Sequence, residues 1–413
     1  ENLVIGARSS LFLPFKNLGL IVVDEEHDTT YKQQEQIIYN ARDMAIARCS
    51  FENATVALVS ATPSMESLFN AKEQRYYHLN LPKRIGIAGL PSIETIDMRN
   101  EKMENDTWIS PSLKSSISKT LEKKEQVLLF INRRGYAPLT LCKSCGEKIE
   151  CRKCDSYLVY HKVKNNLICH QCGYKEIFKN KCKSCDQNNS YIQYGPGIER
   201  LLEETKMCFP DSIVKSISSD NSDDFMKTME ELVLGEIDII IGTQIISKGY
   251  HLPNLTLVGI IDADLGLISS DLRASEYTFQ LLQQVSGRSG RDKKKGKALI
   301  QTYYPHNPVI DALINNDRDK FVEAELKMRE QSNLPPYGRL ATITISDTNE
   351  ESLMKFGSYL FSKIPISSAV EVLGPAPAPI LKIRNRYRYK FLIKASKKVS
   401  IQKFIENWIE DIK

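Results

Sequence analysis

Apolar positions along this chain come in short, nearly continuous runs: Leu20–Val23, Thr55–Val59, Val127–Ile131, Ile237–Ile241 and Leu255–Ile261. Continuity over four to seven residues, rather than strict alternation, predicts parallel strands buried on both faces. Between the runs lie amphipathic stretches, such as the one opened by Gly195-Pro196-Gly197-Ile198-Glu199, that predict helices. Strand and helix alternating in this way predict an α/β chain. Beyond about residue 331 the pattern changes. Leu334-Pro335-Pro336-Tyr337-Gly338 reads as a linker, Ala341–Ile345 as an alternating strand, and 351–363 as a helix. Gly374–Pro379 reads as a stiff proline-rich loop. The expected tail is a small α+β domain.

Length sets the domain count. At 413 residues, and about 100–200 residues per domain, two to four domains are expected. A chain that is 42% hydrophobic and 26% charged has ordinary cores, which excludes a disordered or fibrous class. No apolar run approaches the roughly 18 residues of a membrane helix, and no secretory signal is visible. The expectation is a cytoplasmic protein with no membrane partner. The first residue is Glu1 rather than Met, so a natural start upstream is expected. The net charge of +5 is mild evidence for an anionic partner, and its distribution matters more than its size.

Chemistry gathers where the apolar runs end. Leu20–Val23 runs into Asp24-Glu25-Glu26-His27, at the carboxyl end of a strand, where open α/β sheets place ligands. One carboxylate there would hold Mg²⁺ on a nucleotide phosphate and its neighbour would polarise the attacking water. Taken alone, the same residues read equally well as a solvated acidic turn. Thr55–Val59 ends in Ser60-Ala61-Thr62-Pro63, whose hydroxyls can relay hydrogen bonds between a carboxylate and a nucleic-acid site. Tyr31, Lys32, Tyr39 and Arg42 interleave rings with cations, as single-strand binding would need, or as a helix start with Tyr in partial core would also show. Gly6–Phe12 offers Arg8 and two hydroxyls to a phosphate, or is a surface loop. Later, Ile237–Ile241 runs into Gly242-Thr243-Gln244, with Lys248 and Gly249 close behind, a pattern that presents backbone N–H groups to phosphates. Gln283-Gln284-Val285-Ser286-Gly287-Arg288-Ser289-Gly290-Arg291 spaces two arginines three apart, suited to an arginine finger.

Cysteine spacing is the most specific local signal. Of ten cysteines, eight form CxxC pairs: Cys142/Cys145, Cys151/Cys154, Cys169/Cys172 and Cys182/Cys185. A two-residue spacer lets both thiolates of a pair reach one tetrahedral Zn²⁺, so four pairs imply two Cys₄ sites. A nested arrangement is preferred to a sequential one: 142/145 with 182/185 outside, 151/154 with 169/172 inside. Cys49 and Cys208 fall outside the pattern and read as ordinary buried thiols. Residues 141–190 hold ten Lys/Arg against five Asp/Glu. Eight thiolates and two Zn²⁺ would bring that excess down to about +1, which suits docking or strand separation better than electrostatic capture.

The ordered set DEEH, SAT, GTQ-x-x-x-KG and Q-x-x-G-R-x-G-R resembles superfamily-two helicases, which have two RecA-like lobes. The four CxxC pairs, GARSSLFLPFKNLGLIVVDEEHDTTYKQQE and NRRGYAPLTLC narrow the resemblance to the PriA family of bacterial replication-restart helicases (primosomal protein N′). The resemblance covers essentially the whole chain. It implies part of the first lobe over 1–108, the second lobe over 109–330 with a zinc insertion at 141–190, and a small α+β DNA-binding domain over 331–413. It implies that Asp24 binds Mg²⁺ through water, that Glu25 activates water, and that His27 couples both to DNA. Ser60, Thr62, Gly249 and Gln284 would link ATP hydrolysis to domain movement. Arg288 and Arg291 would reach the γ-phosphate, Arg291 being the preferred finger. Arg8, Tyr31, Lys32, Thr243, Gln244, Lys248, Arg386 and Arg388 would meet DNA. The implied activity is ATP-dependent 3′→5′ DNA unwinding at stalled forks. The implied cofactors are two Zn²⁺ and Mg²⁺. The implied partners are forked and single-stranded DNA, primosome proteins, a replicative-helicase loader and single-stranded-DNA-binding protein, in the bacterial cytoplasm.

One departure is serious. No G-x-x-x-x-G-K-[ST] loop occurs in these 413 residues, although that loop cradles the β- and γ-phosphates. The resemblance places it upstream. The expectation is a piece of a longer ATPase that alone binds ATP poorly, with a non-catalytic DNA-binding or primosome scaffold as the rival. In the tail, residues 381–400 hold eight Lys/Arg and no acidic residue. Arg384, Arg386 and Arg388 alternate there with Tyr387 and Tyr389, which predicts one cationic strand face.

Overall fold

A computed structural model describes the chain except residues 1–2, 34–36, 82–90, 105–106, 133–138, 143, 146, 154–156, 162–165, 170–171, 173, 180, 189–190, 195–196, 218–221, 244–251, 268–270, 291–293 and 411–413. It divides into two compact units, Glu1–Lys83 and Arg84–Lys413.

In the first unit the strands Leu20–Asp24 and Thr55–Val59 pair in parallel, with Asp24 beside Val59. A parallel pair needs a crossover, and the helix Ala41–Glu52 supplies it. Asn40 caps that helix by accepting from the Arg42 N–H, and Asn53 ends it in the left-handed region, a conformation Asn tolerates. Ala41, Ala45 and Cys49 form its buried face, and the Cys49 thiol donates to Thr55 O at 3.3 Å. A second helix, Met65–Lys72, follows the second strand, with Ser64 as its N-cap.

The second unit is built on six parallel strands in the order Val214–Ile217, Ile239–Gly242, Gln126–Phe130, Leu255–Ile260, Lys297–Thr302, Ser92–Asp97. The second, third and fourth of these are buried at every position, as their unbroken apolar runs require. Gly259 marks the closest helix approach: a Cβ there would lie 2.9 Å from Leu129 Cδ2 and 3.0 Å from Leu113 Cδ1. The strand Ser92–Asp97 falls within the 1–108 grouping made from sequence, yet it pairs in this second sheet. Its half-polar pattern (Ser-Ile-Glu-Thr-Ile-Asp) suits an edge position, where one neighbour suffices. Buried Gln301 ties the sheet to the segment before the helix Pro111–Glu122. It accepts from Ser110 N at 2.9 Å and donates to Trp108 O at 2.8 Å and Ile261 O at 3.0 Å.

Residues 139–194 form two small antiparallel pieces. Leu139–Cys142 pairs with Tyr191–Tyr194, and Val159–His161, Asn166–Ile168 and Lys175–Ile177 make a three-stranded sheet. The C-terminal part of the unit is a three-stranded antiparallel sheet, Gly338–Asp347, Arg386–Ser396 and Val370–Ile383, with Arg386–Ser396 central. Its core joins Phe391, Ile393 and Ala395 to Leu360 of the helix Glu350–Ser362 and to Phe404 and Trp408 of the helix Ile401–Glu410.

Three expectations are corrected here. The strands Leu20–Asp24 and Thr55–Val59 are parallel but not buried on both faces: Val23 alone among them is buried, and Leu20, Val22 and Val59 are exposed. Gly374–Pro379 is not a loop but part of the 14-residue strand Val370–Ile383. That strand is at the sheet edge and its register shifts at Leu373/Ala376 and Pro377/Lys382, the setting in which prolines are tolerated within a strand. Arg384 does not alternate with Arg386 and Arg388 on a strand face. With Asn385 it forms the two-residue hairpin turn, both at positive φ (52° and 62°). Among the described residues, no helix is long and apolar enough to cross a membrane.

Candidate active site, nucleic-acid face and metal centres

The two strand ends of the first unit bring their motifs together. Asp24 closes its strand with an exposed carboxylate, and Asp24 Oδ1 accepts the Glu25 N–H at 3.0 Å. Glu25 has φ 49°, in the left-handed region, so the chain turns sharply and sends consecutive carboxylates in different directions. His27 Nδ1 lies 2.7 Å from Ser60 Oγ and 3.6 Å from Glu25 Oε2, while His27 Nε2 lies 3.5 Å from Thr62 Oγ1. The Thr62 N–H donates to Ser60 Oγ at 3.0 Å. A single imidazole thus stands between a half-exposed carboxylate and both hydroxyls of the second motif. An exposed single carboxylate at a strand end also fits Mg²⁺, which takes one or two protein carboxylates and keeps several waters.

Tyr31 is less free than its sequence context suggests. It sits in the one-turn 3-10 helix Thr29–Tyr31, its hydroxyl donating to Asp24 O at 2.6 Å. Burial first, then the charges of Asp24, Asp28 and Glu25, push its phenol above the usual tyrosine range. Lys32 beside it is exposed, and Arg8 is half-buried at the start of the 3-10 helix Arg8–Phe12. Arg42 does not meet phosphate in this arrangement. It is buried, pairs with Glu26 at 3.1 Å and with Asp43 at 2.9 Å, and is held above the usual arginine range by those charges against the cost of burial.

In the second unit, Thr243 follows the strand Ile239–Gly242 and is half-buried, while Gln244, Lys248 and Gly249 lie outside the described residues. Gln284 is half-buried on the helix Ala274–Ser286. Arg288 follows that helix and is 8% exposed, its N–H donating to Val285 O at 3.0 Å. Gly290 has φ 67°, and a Cβ there would fall 2.2 Å from Gly296 N, so the second glycine of the motif is required by backbone contact. Arg291 lies outside the described residues, as does the stretch 133–138 that follows buried Asn132. Asp262, at the end of the Leu255–Ile260 strand, accepts from the Asp264 and Leu265 N–H groups. Burial first, then the Asp264 charge, raises it above the usual carboxylate range, with those two N–H groups opposing.

On the central strand of the C-terminal sheet, Tyr389, Phe391, Ile393 and Ala395 are buried, and Arg388, Lys390 and Lys394 alternate with them on the other face. Arg386 at the strand start is exposed and donates to Ser346 Oγ at 3.2 Å and Ser346 O at 2.7 Å. The cationic face predicted from sequence is therefore present, with lysines in place of Arg384.

The cysteines fall into two groups. Cys142, Cys145, Cys182 and Cys185 have sulfurs all within 4.8 Å of one another, and so do Cys151, Cys169 and Cys172. This is the nested grouping; Cys154 lies outside the described residues. Sulfur–sulfur separations are 3.6 Å for 142–185, 145–182 and 151–172. A tetrahedron with Zn–S bonds of about 2.3 Å has edges of about 3.8 Å, so the residues fit zinc. Burial, and then the Cys172 and Cys169 thiols, push Cys151 up to about 11 despite the Lys153 N–H that donates to it. A thiol crowded in this way ionises when a cation shares its site. Cys49 is buried on the helix Ala41–Glu52 against the start of the strand Thr55–Val59, and Cys208 is half-buried at the core edge, both outside the clusters.

Three family models match this chain. Residues 330–412 match the primosomal protein N C-terminal domain, 151–176 match the PriA DNA helicase Cys-rich region, and 176–293 match the helicase conserved C-terminal domain. The chain is 46% identical over 413 residues to the replication restart protein PriA of Rickettsia felis, covering 99% of this chain. The chain belongs to the PriA family. Its six-stranded parallel sheet is accordingly a RecA-like helicase sheet, and the inner cysteine cluster lies within the residues that match the PriA Cys-rich region, with the outer cluster flanking it. Replication restart protein PriA of Haemophilus influenzae is 38% identical over 98% of the chain, and that of Bacillus subtilis is 36% identical over 100%. The chain spans 64% of the Rickettsia felis relative, 56% of the Haemophilus influenzae one and 52% of the Bacillus subtilis one.

Sequence reading missed the partnership of buried Glu26, Arg42 and Ser64 with half-buried Ser67. A serine at an N-cap with another serine three residues on was the available signal.

Proposed function

We propose that this chain is the hydrolysis-coupling and DNA-handling part of an ATP-dependent 3′→5′ DNA helicase that recognises stalled or abandoned replication forks and starts primosome assembly there. Asp24 holds Mg²⁺, whose chemistry at that position is charge neutralisation on the nucleotide phosphates. Glu25 orients and deprotonates the hydrolytic water. His27 passes the state of that carboxylate to Ser60 and Thr62, and Gln284 and Gly249 serve the same coupling. Arg288 and Arg291 offset charge on the γ-phosphate. Arg8, Tyr31, Lys32, Thr243, Gln244, Lys248, Arg386 and Arg388 meet single-stranded or forked DNA. Two Cys₄ zinc sites, 142/145/182/185 and 151/154/169/172, hold the insertion in shape. Primosome proteins, a helicase loader and single-stranded-DNA-binding protein are its protein partners, in the bacterial cytoplasm.

The observation that carries this reading is the His27 bridge, 2.7 Å from Ser60 and 3.6 Å from Glu25. The test is fork-stimulated ATP hydrolysis by this chain and by one extended upstream through a G-x-x-x-x-G-K-[ST] loop. Turnover is expected in the extended chain, lost on Glu25→Gln or Arg291→Ala with DNA binding retained. The second reading is a non-catalytic zinc-containing DNA-binding or primosome scaffold of helicase architecture. DNA binding without turnover in both chains would select it.

A further inference from the structure

We propose that Glu26 is a positioning residue that fastens the two strand-end motifs of the first unit into one piece, so that the Asp24–Glu25 carboxylates and the Ser60–Thr62 hydroxyls move together. The inference rests on the ATPase reading above and assigns a role to the one carboxylate of the motif that the reading leaves unused.

Glu26 is 2% exposed, between two residues that are not buried. Its N–H donates to Val59 O at 3.1 Å, fixing the turn to the end of the second strand. Its Oε1 accepts from the Ser64 N–H at 2.6 Å. Its Oε2 accepts from Ser64 Oγ at 3.0 Å, Ser67 Oγ at 2.9 Å and Arg42 Nη1 at 3.1 Å. Arg42 also donates to Ser64 Oγ at 2.7 Å. One carboxylate thus joins three segments: the end of the first strand, the first turn of the helix Ala41–Glu52, and the N-terminus of the helix Met65–Lys72. With both oxygens filled by protein donors inside the fold, Glu26 is not a spare metal or phosphate ligand.

The geometry on either side explains why a charge is kept there. Filling that volume with an apolar side chain would cost little and could add stability, so packing alone does not call for an ion pair. What the ion pair adds is direction. His27 is the next residue after Glu26 and faces Ser60 and Thr62, while Ser64 lies two residues after buried Thr62. Fixing Ser64 to Glu26 therefore fixes Thr62 against His27. It also holds the left-handed backbone at Glu25, which is flanked by the Glu25 N–H to Asp24 bond on one side and the Glu26 N–H to Val59 bond on the other. Without the Glu26 anchor the turn is free to relax, and the Glu25 carboxylate loses its register with the imidazole.

Two measurements test this. In the first, the chain itself is labelled with ¹⁵N-histidine, and the His27 imidazole signals are followed among its six histidines in Glu26→Gln and Ser67→Ala, with His27→Gln giving the assignment. The expected result is displaced or broadened His27 signals with the other histidines unchanged. In the second, the same substitutions are placed in the full-length protein carrying its upstream region, below the unfolding temperature of each variant. DNA-stimulated kcat should fall about tenfold or more for Glu26→Gln while KM for ATP stays within about twofold, as expected when reacting groups are displaced but substrate binding is not. Unchanged His27 signals in the folded variants would overturn the proposal. So would kcat falling only in proportion to the folded fraction. Ser67→Ala removes one hydrogen bond to Glu26 and one from Ser64 Oγ, leaves the carboxylate in place, and decides the matter if Glu26→Gln does not fold. If the unsubstituted full-length protein hydrolyses no ATP, the ATPase reading falls and the imidazole signals alone decide whether Glu26 positions His27.

Discussion

Removing the guanidinium of Arg329 should be among the most damaging single changes in the second unit. Arg329 is 2% exposed and lies on the helix Arg318–Gln331. Its Nη2 reaches Glu276 Oε2 at 3.0 Å, its Nε reaches Glu325 Oε1 at 2.9 Å, and its Nη1 reaches Pro335 O at 3.4 Å. Both carboxylates are themselves buried, and Arg273 at 3.3 Å from Glu276 is the further cation shown at this cluster. Arg329→Met keeps most of the packing volume but leaves two carboxylates in a dry site with one cation near only one of them. Breaking a buried pair from one side costs about 3–5 kcal/mol. Arg329→Met/Glu325→Leu removes one of the stranded charges and should recover about 1–2 kcal/mol of that loss, because the two sites share a partner and are not additive. Urea unfolding of the three proteins, read at one wavelength on the same transition, gives the differences. A loss below about 1 kcal/mol for Arg329→Met, or a double variant less stable than the single one, would refute the charge-enclosure reasoning. A local readout is also expected. Glu276 opens the helix that ends at Gly287, so loosening it should increase hydrogen exchange at the Arg288 N–H.

Metal analysis of protein purified without chelator should give two zincs per chain. Cys142→Ser/Cys182→Ser should lose one zinc and keep the other, because both residues belong to the outer site, whereas loss of both zincs would put them in different sites and count against the nested pairing. Asp262→Asn keeps an oxygen for the Asp264 and Leu265 N–H groups while removing a carboxylate that burial raises above its unfolded value. A raised folded-state value means the stabilising contribution of the protonated acid is present below the unfolded value and is lost as pH rises through the folded one. The Asn variant should therefore gain on the wild type as pH rises from 4 to 8 in thermal melts, and a constant difference across that range would contradict the assignment. Arg388→Ala and Lys390→Ala should each weaken binding to single-stranded DNA of any sequence and reduce the salt slope of log K by about one if each meets a phosphate. An unchanged slope would remove the open sheet face from the DNA path.

Much of the architecture was legible because its signals are local. Continuous apolar runs marked the parallel strands, and the residues just past them marked the strand ends where His27, Ser60 and Thr62 meet. CxxC spacing named the metal ligands without reference to anything distant. What escaped the sequence depends on partners far along the chain. Asp24, Glu25 and Glu26 read alike as consecutive carboxylates, and it is Arg42, Ser64 and Ser67, 16, 38 and 41 residues away, that make Glu26 a buried anchor. Of the two readings of Arg42, phosphate contact or helix start, the structure gives the helix start, and its buried partner Glu26 is 16 residues upstream. The affiliation of Ser92–Asp97 was hidden because its partner strand, Lys297–Thr302, is about 200 residues later. The three prolines misled because a loop and an edge strand satisfy the same rule, that no neighbour needs their N–H.

That proline-bearing strand has a consequence for what the C-terminal domain can touch. Pro375, Pro377 and Pro379 remove three backbone donors from one border of a three-stranded sheet. A border stripped of donors cannot be extended by an incoming strand, from another copy or from a stray unfolded chain. Recognition by strand addition is therefore blocked along that stretch, which leaves the face bearing half-buried Arg388, Lys390 and Lys394, the last paired with Glu371 at 3.4 Å. The insulation is one-sided: the opposite border, Gly338–Asp347, carries no proline and keeps its donors, so any strand that joins this sheet must join there.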